Sequence, residues 1–246
     1  MSRPRPLPLG CASILILLTI FFGAEYASNL QTQRQTDALF LDLKGLKIGE
    51  STDKEVRRIV QRYGGEAGLT ASGFCNPQDD DGHSVAISNG TLNWLGQRSP
   101  LLRPFGNRVW TASAVFLTSN GNVCGILYFV RAFRGDGMSE VAVDVNYLQA
   151  FSSLDFTGPP YLVDIYMRKG FLSFKTTLTT NASAEQRTHA LDINLTCLSH
   201  AGGCRTGCEI MPSAWLDFQR QAQSQGWPLP AEEQGDSRCK KLVEIR

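Results

Sequence analysis

Cys197, His200, Cys204 and Cys208 gather three thiols and an imidazole on one short stretch of chain. Soft ligands separated by short loops can converge on a single ion, so the cluster is a candidate tetrahedral zinc site. It lacks the tight Cys-x-x-Cys knuckle of common structural sites. Cys75, Cys124 and Cys239 belong to the same body, and an even number of cysteines outside the cytosol reads as a disulfide framework. Disulfides among Cys75, Cys124, Cys197, Cys204, Cys208 and Cys239 are the expectation, with zinc on Cys197, His200, Cys204 and Cys208 as the alternative. The spacing alone selects no pairing. No cofactor is called for.

Other polar groupings have simpler readings. Asp79-Asp80-Asp81-Gly82-His83 could hold a divalent cation, but a calcium loop starting at Asp79 would meet His83 and Ser84 where an acidic residue and Gly belong. A solvated acidic turn before a strand is expected. Ser51-Thr52-Asp53-Lys54 matches the Ser-x-x-Lys of some acyl-transfer enzymes, without the companion motifs, and doubles as a helix start. The only histidines are His83, His189 and His200. A Ser/His/Asp triad could assemble from distant positions, with Asp192 and Asp164 as partners for His189. Arg134-Gly135-Asp136-Gly137 contains an adhesion tripeptide and also reads as a tight turn. Asn89, Asn181 and Asn194 begin glycosylation sequons.

The loop from Arg98 to Arg108 (RSPLLRPFGNR) is basic with apolar tips. Arg98, Arg103, Phe105 and Arg108 are its candidates for contact with membrane headgroups or an acidic partner. The competing expectation is a long connection whose leucines pack on the sheet.

These groups sit on a chain of 246 residues that opens with Arg3 and Arg5 before an apolar run, Leu7–Ala24. The run can reach the lower limit for a spanning helix, near 17 residues. No cut ending at Ala24, Ala27 or Ser28 puts small residues at both required positions. A retained anchor is therefore expected, with a cleaved signal peptide and a secreted or periplasmic body as the alternative. The positive charges precede the run, which places the N-terminus in the cytoplasm and the body outside. The expected division is a tail over 1–6, an anchor over 7–24, a stalk over 25–37 and one domain over 38–246.

Hydrophobic content of 42% with 9% aromatics is ordinary for a globular chain. Taking Arg3 and Arg5 from the 24 Lys+Arg leaves 22 against 23 Asp+Glu. So balanced a body carries no footprint for nucleic acid, and that class is set aside.

Periodicity supplies the elements. A first helix is expected over about Gln35–Leu43, and a second after the Thr52/Glu55 capping box, with Val56, Ile59, Val60 and Tyr63 on one face and Gly64-Gly65 ending it. Asn89-Gly90 reads as a turn. Val109–Thr118 and Val123–Phe133 flank Ser119-Asn120-Gly121-Asn122 as a hairpin. Val141 to Tyr147 alternates like a half-buried strand, and Leu162–Met167 pairs with Phe171–Leu178. Leu191, Ile193 and Leu195 also alternate, with Cys197 continuing the inward parity. A last helix over about Ala214–Gln225 takes Ser213 as N-cap, buries Trp215, Phe218 and Ala222, and ends at Gly226 and Pro228. Helices at the ends and strands between predict an α+β domain with a largely antiparallel sheet and flanking helices.

Leu46-Lys47-Ile48-Gly49, Ser51-Thr52 and the helix from Val56 to Gly64 resemble the opening helix of small envelope lipoproteins that help assemble outer-membrane barrels. That family's lipid-modified cysteine is absent here and the chain is longer, so no function is carried over. The expected function is a non-catalytic interaction module, anchored in the membrane through residues 7–24 and recognising a protein or envelope component. The alternative is a membrane-anchored hydrolase or transferase with dispersed catalytic residues.

Overall fold

A single helix, α1 (Leu9–Gly45, 37 residues), carries the chain from the apolar N-terminus into the folded body. At 1.5 Å per residue it is ~55 Å long. The computed structural model describes residues 9–70, 81–99, 102, 108–133, 139–148, 160–168, 171–199, 204 and 206–226. The segment from Ser13 is long and apolar enough to cross a membrane. Ile14, Leu15, Ile16, Leu17 and Ile20 are exposed by 59% to 66%. The expected breaks between anchor, stalk and first helix do not occur. Asn29–Thr36 contains no Gly or Pro to interrupt the helix. Its Asn29, Thr32 and Thr36 are buried against the body, as are Leu39, Phe40 and Leu43 further on.

α2 (Asp53–Arg62) starts at the expected capping box of Thr52 and Glu55 and buries Val56, Ile59 and Val60. Gly64, at φ +67°, ends it in the left-handed region. Asp42 of α1 accepts from Arg62 at 2.8 Å and from the Tyr63 hydroxyl at 2.9 Å, joining the two helices.

Seven strands form one sheet: β1 (Glu66–Thr70), β2 (Asp81–Ser88), β3 (Val109–Ser119), β4 (Asn122–Phe133), β5 (Ser139–Leu148), β6 (Tyr161–Arg168) and β7 (Phe171–Thr179). Their spatial order is β1-β2-β3-β4-β5-β7-β6. Every pairing is antiparallel except β5 with β7, so the sheet is largely antiparallel, as predicted, but mixed. The hairpin β6–β7 folds back so that β7, not β6, lies beside β5. Asn120 and Gly121, both at positive φ, make the predicted tight turn between β3 and β4.

Register assigns the faces. Phe116 lies opposite Ile126, Ala114 opposite Tyr128 and Ala112 opposite Val130; Tyr128 then faces Val145, and Val143 faces Phe174. All of these are buried. Phe40 of α1 packs edge-on against Tyr128, with ring centroids 4.7 Å apart.

α3 (Gly90–Arg98) follows β2, where only a turn was expected, and packs beside α1. The chain after β7 forms α4 (Ala184–Ala190), α5 (Leu195–Ser199), α6 (Gly207–Ile210) and α7 (Pro212–Gln225). The strand expected across Leu191–Leu195 is therefore absent. Ser183 and Gln186 form a capping box that commits the chain to α4, and the following residues enter α5. α7 buries Trp215, Phe218 and Ala222, as expected, and ends at Gly226. Its first turn opens on Pro212 rather than on a Ser213 cap. The Ser213 hydroxyl donates instead to Asp192 at 2.6 Å.

Candidate functional site

Two aspartate–histidine pairs are the arrangements closest to catalytic machinery. In the first, the His83 Nε2–H on β2 donates to Asp53 Oδ1 at 2.6 Å, while Arg57 donates to Asp53 Oδ2 at 2.5 Å. Burial pushes the Asp53 carboxyl up, but the hydrogen bonds and charges of Arg57 and His83 outweigh it and hold the group below the usual carboxylate range. His83 lies on the inner face of the sheet with no exposure, and its Nδ1 has no hydrogen-bond partner among the described residues. The pair fastens the first turn of α2 to the sheet.

In the second pair, His189 on α4 donates through Nδ1 to Asp217 of α7 at 2.6 Å. Arg220 also reaches Asp217, at 3.3 Å, and Glu185 lies 3.8 Å from His189 Nε2. Burial first, and then the charge of Asp217, drive the Tyr161 phenol strongly up. The partner of His189 is thus neither Asp192 nor Asp164. The acid sits in the next long helix, a distance along the chain that local pattern cannot signal. Among the described residues no hydroxyl or thiol stands beside the free nitrogen of either imidazole, so no nucleophile–base–acid relay is assembled.

A cavity of about 160 Å³ lies between the end of α1, the inner face of the sheet and α4. Leu43, Ile126, Val145 and Leu178 line it, with Lys44 and Arg187 among its polar residues. Neither histidine pair contributes to it.

The cysteine cluster is oxidised. Cys197 and Cys204 form a disulfide with Cα atoms 5.0 Å apart. Cys124 and Cys208 are disulfide-bonded too. These bridges consume the sulfurs that the zinc alternative required, and no metal-ligating group of three occurs among the described residues. Cys75, Cys239 and His200 lie outside the described residues, as do Asp79 and Asp80. Asp81 opens β2. Of the three sequons, Asn89 is fully buried, Asn194 is half-buried and Asn181 is exposed.

Of the basic loop, Arg98 closes α3, its guanidinium 4.1 Å from the centre of the Trp94 ring. The Arg108 backbone N–H bonds Ser199 at 2.9 Å, and its carbonyl accepts from Asn89. Arg103, Phe105 and the Arg134-Gly135-Asp136-Gly137 segment lie outside the described residues.

The feature that sequence reading passed over is the outer face of the sheet. Val115, Leu127, Phe129 and Arg131 alternate with the core positions of β3 and β4 and are half-buried. Tyr166 and Phe171 share that face, their centroids 6.3 Å apart, and Tyr166 is 58% exposed. Arg131 pairs with Asp144 and lies over Phe129. The core positions to which α1, α2, α4 and α7 contribute all lie against the opposite face. The signal was present in β4, whose NVCGILYFVRAF is apolar at both parities, the pattern of a strand with both faces covered. Comparison with family models, curated proteins and solved structures gives no match to the chain.

Proposed function

We propose that this protein is a membrane-tethered, non-catalytic recognition module whose domain lies outside the cytoplasm and binds a protein partner through the outer face of its sheet. The observation that carries this reading is the set of large apolar side chains on that face, Leu127 and Phe129 on β4 and Tyr166 and Phe171 on β6 and β7, with Asp144 and Lys175 between the two groups. A solvated sheet face is ordinarily polar, so large apolar residues there are the informative exception. Aromatic residues with an arginine among them are also the composition enriched at binding surfaces. The N-terminal arginines and the disulfide support the extracytoplasmic placement. The hydrolase alternative has less support, because among the described residues no hydroxyl or thiol stands beside the free nitrogen of either imidazole and neither pair lines the cavity.

The test is site-specific photocrosslinking in cells, with a photoreactive phenylalanine replacing Phe129 or Tyr166 and, as a control, Lys54 on the exposed side of α2. A discrete adduct of the same partner from both sheet positions, absent from the control, is the expected result. Adducts no stronger than the control at both positions would refute the reading.

A further inference from the structure

We infer that α3 is a second membrane contact, a short interfacial helix that rests its Trp94–Leu95–Arg98 surface in the lipid headgroup layer beside the point where α1 leaves the bilayer. The inference rests on the reading of α1 as a membrane span and adds where the domain sits relative to it.

Height is fixed by contacts along α1. Glu25 is the first charged residue after the apolar run. Gly96 of α3 lies so close to it that a Cβ there would overlap the Glu25 carboxylate. At the other end of α3, the Ser28 hydroxyl donates to the Asn89 carbonyl at 3.0 Å and Gly90 lies beside it. α3 therefore runs back towards the membrane, from the level of Ser28 to that of Glu25, with Arg98 at its leading end. Those levels are ~2–6 Å past Ala24 along the helix axis. The headgroup layer of one leaflet is ~5–8 Å thick, so α3 falls within it.

This height cannot relax through a flexible linker. Below Ser28, α1 is bound to the body by Asn29 accepting from the Trp110 indole at 2.9 Å, by Thr32 donating to the Ser88 carbonyl at 3.3 Å and by Gln33 donating to Ser199 at 2.7 Å. The apolar packing of Leu39, Phe40 and Leu43 follows.

The exposed chemistry of α3 suits that layer. Trp94 and Leu95 are 41% and 49% exposed, an outlay of apolar surface that water does not reward. An indole favours the interface, where its ring meets acyl chains and its N–H meets water. Arg98, stacked over Trp94, supplies a guanidinium for lipid phosphate. Tyr26 on α1, 63% exposed, adds a second aromatic at the same height.

The test uses the full chain in vesicles of phosphatidylglycerol and phosphatidylcholine brominated near the glycerol end of the acyl chains, which quench tryptophan on contact. Trp110 and Trp215 are buried and out of reach, and Trp227 is replaced by Phe in every chain compared, so the difference between that parent and its Trp94→Phe variant isolates Trp94. Quenching of the parent that is mostly lost in Trp94→Phe, and weakened in Leu95→Asp and Arg98→Glu, is the expected result. Equal quenching of the parent and Trp94→Phe in a chain that resists alkaline extraction would overturn the docking and leave the span intact. Release of the chain by alkaline extraction would overturn the span and the docking with it.

Discussion

Asn29, one turn beyond the apolar run of α1, accepts a hydrogen bond from the indole nitrogen of Trp110, which is fully buried on the third strand. An anchor helix that ended in a loose tether would have no reason to place an amide there. The bond is one reason the polar segment after the apolar run stays helical and packs against the body.

Replacing Asn29 with Leu removes the acceptor and leaves a buried indole N–H unsatisfied, a loss of ~1–3 kcal/mol. Denaturant unfolding of the full chain in detergent should show a lower midpoint with an unchanged slope. Replacing Gln31, which is exposed on the same helix, should leave the midpoint where it was. An unshifted midpoint in Asn29→Leu would mean that the helix is not fastened through this bond.

The N-terminus of α2 should fail first in acid. The folded-state carboxyl of Asp53 lies below its ordinary value of 3.8, and that of Glu55, held by the Thr52 backbone and hydroxyl, lies below 4.5. A depressed carboxyl contributes stability that is fully present above the ordinary value and is lost as pH falls through the folded one. Stability from this pair is therefore constant near neutrality and declines below about pH 4–5. Asp53→Asn should lower stability at neutral pH and flatten the acid limb of a stability-against-pH curve. A variant whose acid limb parallels the wild type would place the acid sensitivity elsewhere.

The Cys197–Cys204 bridge closes a short loop, with a sequence separation of 7. Chain-entropy arguments give such a loop ~2–3 kcal/mol. The double variant Cys197→Ser/Cys204→Ser should lose about that much without scrambling the remaining bridges, and non-reducing peptide mapping of the wild type should recover Cys197 joined to Cys204. Recovery of either cysteine joined to a different one would contradict this pairing.

Elements written in local chemistry were legible in the sequence. The Thr52–Glu55 box, the Asn120-Gly121 turn and the alternation of β5 each depend on residues close in the chain, and each folded as its pattern said. The failures have a common physical form. Leu191, Ile193 and Leu195 alternate like a strand, but the Ser183/Gln186 box upstream and the packing of α5 set the conformation instead. Asn89-Gly90 reads as a turn, and Gly90 does take a positive φ, but it opens a nine-residue helix that is only weakly amphipathic. The polarity of the 25–37 segment suggests a stalk, but Asn29 and Thr32 are polar because they bond the sheet. The histidine pairs lie beyond local reading altogether, since helix packing brings their members together, and the outer face is signalled only by the two apolar parities of β4.

Edge protection offers a last prediction. β6 ends the sheet, and its outward backbone groups would pair with any passing strand. Gln221 of α7 answers this with its side-chain amide, which accepts from the Val163 N–H at 3.2 Å and donates to the Tyr161 carbonyl at 3.3 Å. The amide thus imitates a neighbouring strand over its first residues. Gln221→Ala should cost only ~1 kcal/mol for the two partly exposed bonds, because water can replace them. Its larger effect should be on association. Sedimentation of the full chain in detergent should show concentration-dependent dimers in Gln221→Ala that are absent from the wild type, and a further Val163→Pro change, which removes the freed donor, should suppress them. Gln221→Ala that remains monomeric at every concentration would mean that the edge is protected by something other than this amide.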